Sequence, residues 1–346
     1  MAGARPASRA HPVAAHVLRL QRTAGNRAAR QAVARRPARH TGMRKDQAIE
    51  RYAAKAVKFW RRNGDLELKY FAIYLGAAAN EELAALGVPA VKTKVAKDEP
   101  GPAAEFFASD WQMVLHPSGF TKRKDVHTMG ELTAEEAASV AMTIYHEARH
   151  AEQRFRVARL FAAEHKELSF EMEETAAQAA HDAPLKKASA LELREAREWR
   201  TNVAGEDSTY REAVSWWTSE ASKAAKLARD VKADDAGDVR DRIGRLLRGW
   251  SKPGGAEETV RSSLSSAKAR KATTVVKDIE RITVAFDRAD AAWKQLPEQV
   301  TPADFKPLAE ALVELSKAVY AAYTDQPVEN DAWDTGLAVY DAFGRQ

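Results

Sequence analysis

The stretch Thr143-Ile144-Tyr145-His146-Glu147-Ala148-Arg149-His150-Ala151-Glu152-Gln153 contains one His-Glu-x-x-His sequence. Residues four apart lie on the same face of a helix, so a helix here lets His146 and His150 offer two imidazole nitrogens to one metal ion, with Glu147 beside them. The residues upstream predict that helix, because Thr133 and Glu136 have the spacing of a capping box. Neither Pro nor Gly interrupts the chain over residues 133–170.

This pattern indicates metal-assisted hydrolysis. Two neutral histidines alone hold zinc weakly, so a catalytic site normally adds a third protein ligand and leaves the fourth position to water, whose pKa falls to about 7 on the metal. We expect Glu147 to be the general base that takes a proton from that water and passes it to the leaving amine. The chain has nine His, and chance would produce the pattern on the order of once in a hundred such chains. We therefore predict a bound Zn²⁺ ion.

The composition is that of a globular protein with about two domains: 346 residues, of which 45% are hydrophobic and 30% charged. The absence of Cys excludes disulfides, thiol nucleophiles and thiolate ligands, so that only His, Asp and Glu remain as strong metal ligands. No apolar run approaches the roughly 18 residues of a membrane span, and the first residues lack the apolar core of a cleavable signal peptide. We expect a cytoplasmic protein in the producing cell, and any export by another route.

The basic charge is concentrated at the N-terminus. Residues 1–45 contain eleven Lys and Arg and no acidic residue, whereas the other 301 residues carry 43 basic and 49 acidic residues. A basic segment with Ala and Pro and no aromatic residue is typical of a solvated tail. We therefore predict a flexible tail over residues 1–42 and do not expect nucleic-acid binding.

One patch of this tail carries a resemblance to a known family. The run Leu20-Gln21-Arg22-Thr23-Ala24-Gly25-Asn26-Arg27-Ala28 resembles the LQRxAGNRAV-type segment near the N-terminus of many actinobacterial proteins associated with extracellular contractile injection systems. The resemblance implies a cargo or accessory role for such a system, with components of the system as partners. It implies nothing about chemistry.

The pattern after the tail predicts a mostly α-helical protein with a small sheet. Residues 91–120 contain an alternating segment, a Pro/Gly-rich turn and the apolar run Trp111–Leu115, which predict a small antiparallel sheet just before the motif helix. The edge strand of such a sheet can pair with an extended peptide, although a sheet that only covers the helix is an equally good reading. Farther on, the helical periodicity of residues 205–299, broken at Ser251–Gly255, predicts two long antiparallel helices.

The third ligand must be an acidic residue or His outside the motif helix. The candidates near the motif are His165, Glu171, Glu173, Glu174 and His181, and a distant candidate is Glu329. The small residues Ala176, Ala177, Ala179 and Ala180 would let the helix that follows Glu173 and Glu174 approach closely.

The segment Glu329-Asn330-Asp331-Ala332 resembles the E-x-D-A segment that opens a C-terminal helix in several HExxH peptidase families, in which the Glu is the third zinc ligand. Together with His146, Glu147 and His150, it makes the chain similar to the glutamate-type zincins, or gluzincins. This resemblance implies a zincin-like core and Glu329 as a zinc ligand. The 178 residues between His150 and Glu329 depart from the family pattern, so Glu174 and Glu173 stay open as alternatives.

The resulting fold class is mostly α, with a zincin-like core, a small antiparallel sheet and a long helical hairpin insertion. The predicted core comprises residues 43–204 and 300–346, and the insertion residues 205–299. Asp331 is a candidate for orienting a ligating His, and Tyr320, Tyr323 and Arg149 are candidate oxyanion donors.

Two functions remain open at this stage. The favoured one is a zinc metallopeptidase that acts on a protein or peptide and is carried by, or associated with, a contractile injection system. The alternative is a non-enzymatic cargo or interaction protein with a degenerate or structural metal site. The intact Glu147 favours the enzyme, because a structural metal site has no use for a general base.

Overall fold

The computed structural model describes residues 41–96, 103–123, 125–185, 188–203 and 208–346. The described chain is mostly helical with one small sheet, as predicted; the resemblance segment Leu20–Ala28 lies outside the described residues. The elements in chain order are α1 (Asp46–Arg62), α2 (Leu68–Ala84), β1 (Lys92–Val95), β2 (Ala104–Phe107), β3 (Gln112–Leu115), α3 (Ala134–Ala163), α4 (Glu174–Asp182), α5 (Ala190–Val203), α6 (Ser208–Arg229), α7 (Ala236–Ser251), α8 (Ala256–Ala269), α9 (Thr273–Lys294), α10 (Lys306–Thr324) and α11 (Pro327–Arg345).

The chain divides into two compact units. The first unit contains the described residues up to Val203 and the C-terminal residues Asn330–Gln346, and the second unit is Ala204–Glu329. Each unit has its own hydrophobic core. No helix among the described residues is both long enough and apolar enough to cross a membrane.

Helix α3 is the central element of the first unit and carries the His-Glu-x-x-His motif. The predicted capping box is present, since the Thr133 hydroxyl accepts from the Glu136 amide and the Glu136 carboxylate accepts from the Thr133 amide. Burial opposes ionisation of Glu136, but hydrogen bonds from Arg123, Thr121 and Thr133 outweigh it and lower the pKa of Glu136 to about 2. Of the 30 residues of α3, 20 are buried, so that surrounding side chains hold the helix on nearly every face.

The sheet is mixed, and the prediction of an antiparallel sheet is wrong for one of its three strands. Its order is β1-β3-β2, in which β2 and β3 form an antiparallel pair while β1 pairs parallel to β3. Alternation of apolar residues indicates which residues share a face of a strand. It does not indicate whether the strand runs parallel or antiparallel to its neighbour, which explains the error. Strand β2 lies at an edge of these three strands.

The residues that begin the described chain are buried rather than tail-like. The Met43 amide donates to Glu152 Oε2 at 3.0 Å, and the Tyr145 hydroxyl donates to the Met43 carbonyl at 2.8 Å. Gly42 has φ +61°, and a Cβ atom there would lie 1.7 Å from the Glu152 carboxylate, so only Gly fits. Thr41 and Gly42, which we predicted to belong to the tail, are therefore part of the first unit.

Two truncations test where the tail ends. We expect deletion of residues 1–37, which are basic and poor in large apolar side chains, to leave the melting temperature unchanged. Deletion of residues 1–44 should lower it by on the order of 5 °C or more, because buried Glu152 loses the Met43 amide and Asp331 loses the Arg44 guanidinium. Thermal unfolding of both proteins makes the comparison. An equally large loss in the shorter deletion would show that residues 1–37 contribute to the folded body.

The second unit differs from the predicted hairpin. The described residues 208–299 contain four helices, α6 to α9, and α10 packs against α6 and α9. The predicted break at Ser251–Gly255 is present between α7 and α8. The chain also breaks between α8 and α9, at Lys271, which has φ +57°. No Gly or Pro marks this break in the sequence, so the periodicity predicts a single long helix there.

Candidate metal centre

His146 and His150 lie one turn apart on α3 and turn their rings toward one another. Their Nε2 atoms are 3.1 Å apart, and the ring planes meet at 88°. Two nitrogen ligands of one tetrahedral zinc ion lie about 3.4 Å apart, since each is about 2.0–2.1 Å from the metal. The spacing of the two nitrogens therefore fits a single shared ion.

Glu329 completes a three-residue cluster with these histidines. It is 1% exposed, and one ligand atom from each of the three residues lies within 4.8 Å of the others. The boundary between the two units falls inside α11, just after Glu329, so Glu329 shares this helix with residues of the first unit. Two of these residues contact α3: Trp333, whose ring centre is 4.3 Å from that of His146, and Asp331, which bonds Arg149.

The candidates close to the motif are not part of this cluster. In the part of the chain that the structure describes, His146, His150 and Glu329 are the group that could hold a metal ion. Glu173 instead caps α4 by accepting from the Ala176 amide at 2.9 Å, and it pairs with Lys92. Glu174, on the first turn of α4, is exposed.

Glu147 is held so that one carboxylate oxygen is directed to the cluster. Its Oε2 accepts a hydrogen bond from the backbone amide of Phe106 in β2 at 3.0 Å. Its Oε1 lies 3.9 Å from His146 Nε2. The edge strand thus fixes the orientation of the carboxylate, and Oε1 is the oxygen on the metal-ligand side.

Glu329 and Tyr320 interact within the second unit. Arg211 on α6 donates to Glu329 Oε1 at 2.8 Å, which favours the ionised carboxylate that a metal requires. Burial, together with the nearby Glu329 carboxylate, raises the pKa of Tyr320. The Tyr320 hydroxyl therefore stays protonated, and the oxyanion roles of Tyr320 and Tyr323 stay predictions.

Arg149 has a different role from the one we predicted. Its side chain is completely buried, where its Nε donates to Asp331 Oδ2 at 2.8 Å and its Nη1 to Glu152. Burial opposes its charge, but the Asp331 and Glu152 carboxylates outweigh that effect and raise the pKa of Arg149. A guanidinium engaged by two buried carboxylates is not available to stabilise an oxyanion.

Three contacts around the cluster were not predicted from the sequence. They are the Phe106 amide on Glu147, the Trp333 ring on His146, and the Gln153 side chain, whose Oε1 lies 2.8 Å from His150 Nδ1. Gln153 follows His150 by three residues, a spacing that places both side chains on one helix face, so this signal was present in the sequence. The other two depend on tertiary packing.

None of the family models, characterised proteins or solved structures with which the chain was compared matches it. The interpretation of the cluster therefore depends on the residues themselves.

Proposed function

We propose that this protein is a zinc-dependent metallopeptidase in which His146, His150 and Glu329 hold the metal and Glu147 is the general base. The observation that carries the proposal is the cluster of two imidazoles and one carboxylate with Glu147 Oε1 beside it. A buried site with these donors and an adjacent second carboxylate is suited to activating water.

The donor set supports zinc over the alternatives. Two His and one carboxylate also suit non-haem iron, whose oxygenase sites leave positions open for oxygen chemistry. The adjacent Glu147 favours hydrolysis, because a general base held next to the ligands serves proton transfer from water. Magnesium and calcium prefer sites made of oxygen ligands, and two of these three ligands are nitrogens.

The proposed mechanism assigns separate tasks to the two oxygens of Glu147. When bound, the zinc ion supplies Lewis acidity, which lowers the pKa of water and polarises the scissile carbonyl. Glu147 takes the proton from the attacking water on Oε1, while the Phe106 amide keeps Oε2 in place. Glu147 then gives that proton to the leaving amine.

The position of β2 supports a peptide as the substrate. The Phe106 amide points away from β3 and toward Glu147, so the outer edge of β2 runs beside the general base. An extended peptide that pairs with this edge brings its carbonyl groups close to Oε1. Strand pairing recognises the peptide backbone, so the substrate class is an extended segment of protein.

The proposed association with a contractile injection system has a separate basis. It depends on the segment Leu20–Ala28 and is independent of the cluster. A protein that the system delivers could carry the segment Leu20–Ala28 and still have no hydrolytic activity.

Metal content tests the proposal. We expect about one zinc ion per chain in the purified protein and almost none in the double variant His146→Ala, His150→Ala, because that change removes two of three protein ligands. Elemental analysis and hydrolysis of an unfolded protein substrate are measured on both proteins. Zinc near zero in both proteins would end the metallopeptidase proposal, and zinc without hydrolysis would favour the non-enzymatic alternative.

A further inference from the structure

Gln153 connects a candidate metal ligand to a buried carboxylate. It lies one turn beyond His150 on α3 and is 1% exposed. Its Oε1 is 2.8 Å from His150 Nδ1, and its Nε2 donates to Asp331 Oδ2 at 2.9 Å. Both ends of the carboxamide are therefore engaged.

Asp331 determines which way the carboxamide faces. Its carboxylate also accepts from Arg149 Nε at 2.8 Å and from Arg44 Nη1 at 2.9 Å. Two guanidinium groups keep the carboxylate ionised, and an ionised carboxylate only accepts hydrogen bonds. The amide nitrogen of Gln153 must face Asp331, which leaves the amide oxygen facing His150.

The carboxamide oxygen in turn determines the tautomer of His150. This oxygen has no proton to give, so the hydrogen between the two atoms belongs to His150 Nδ1. A neutral imidazole with its proton on Nδ1 carries its lone pair on Nε2. That Nε2 atom is the one 3.1 Å from His146 Nε2, on the side where the cluster forms.

We infer that Gln153 is a positioning residue for the metal centre, which holds His150 in the Nδ1-protonated tautomer and in the ring orientation that ligation requires. Asp331 acts on His150 through Gln153 instead of contacting the imidazole itself. The inference deepens the proposed function and depends on the metal centre assigned there. A neutral amide orients the ligand without adding a third negative charge beside Glu147 and Glu329.

One substitution and one control test the inference. Gln153→Leu removes the oxygen that accepts from His150 Nδ1. Tyr52→Phe is the matched control, because it removes one buried hydrogen bond of the first unit, from the Tyr52 hydroxyl to the Ala141 carbonyl, without touching His150.

The measurements are the ¹⁵N NMR signals of the His150 ring in protein stripped of metal and the zinc affinity from chelator competition. We expect the proton on Nδ1 in wild type and a mixture of tautomers in Gln153→Leu. Zinc affinity should fall by roughly 10- to 100-fold in Gln153→Leu, the range usual for loss of a group that orients a ligand. Tyr52→Phe should lower the melting temperature and leave both readouts unchanged.

A proton on Nε2 of His150 in the metal-free wild type, or wild-type zinc affinity in Gln153→Leu, would overturn the inference. If Gln153→Leu does not fold, the ring signals of the metal-free wild type decide, because a proton on His150 Nε2 there contradicts the assigned role. Failure of the proposed function is distinguishable: if the wild type binds no zinc while its His150 proton is on Nδ1 and Gln153→Leu gives mixed tautomers, Gln153 still positions His150 and the metallopeptidase proposal is wrong.

Discussion

Replacing Glu147 by Gln is expected to lower kcat/KM for peptide hydrolysis by roughly 10²- to 10⁴-fold while the protein keeps its zinc. The reason is that Gln retains an oxygen for the Phe106 amide, at 3.0 Å in the wild type, but cannot take a proton from water. Stability should change by no more than about 0.5 kcal/mol, because the side chain keeps its shape and its backbone contact. Hydrolysis rates, zinc content and melting temperature are measured on the same preparation.

Glu135→Gln is the matched control for this experiment. It makes the same chemical change at an exposed position in the first turn of α3, where no effect on hydrolysis is expected. Undiminished hydrolysis in Glu147→Gln would show that another group is the base. Loss of zinc together with hydrolysis would show that Glu147 supports the metal instead.

The second large effect is expected at Glu329. Glu329→Gln should empty most of the metal site and abolish hydrolysis, because a neutral amide is a poor zinc ligand compared with a carboxylate. The amide oxygen can still accept from Arg211, so folding should be affected little. Glu329→Ala is less informative, since it deprives the Arg211 guanidinium of its partner and costs on the order of 3 kcal/mol of stability.

The alternative ligands provide the controls for Glu329. Glu174→Gln changes an exposed side chain and should alter stability by only about ±0.5 kcal/mol, with zinc unchanged. Glu173→Ala should cost about 1 kcal/mol, since it removes the cap of α4, and should also leave zinc unchanged. A full site in Glu329→Gln together with an empty one in Glu174→Gln would mean that α4 supplies the ligand and that our assignment of α11 is wrong.

Features encoded over a few neighbouring residues could be predicted from the sequence. The capping box of Thr133 and Glu136 is such a feature, and it is present. The proximity of Glu329 to the two histidines is of another kind, because it depends on how α11 packs against α3 across 178 intervening residues. Periodicity contains no information about that packing, so Glu329 and Glu174 could not be distinguished without the fold.

The sequence also could not predict which charged residues are buried. Arg149 stands in the middle of the motif and has the appearance of a solvated helix residue, yet it is completely buried. Its burial is tolerated because Asp331 and Glu152 both accept from its guanidinium, and Asp331 is supplied by the far end of the chain. The candidate oxyanion role was therefore assigned to a residue that instead connects α3 to α11.

The length and burial of α3 have a consequence for the thermodynamics of metal binding. His146 is the thirteenth and His150 the seventeenth of its 30 residues, so both lie far from the ends where helices fray. We expect the amide hydrogens of this segment to exchange with solvent slowly, because a buried helix far from its ends opens mainly with global unfolding. Chelation by the two imidazoles then requires no coil-to-helix transition, in contrast to small zinc domains that fold only around their ion. The cost in backbone entropy of ordering His146 and His150 is therefore part of folding. It does not weaken metal binding, because both imidazoles are already positioned on the helix.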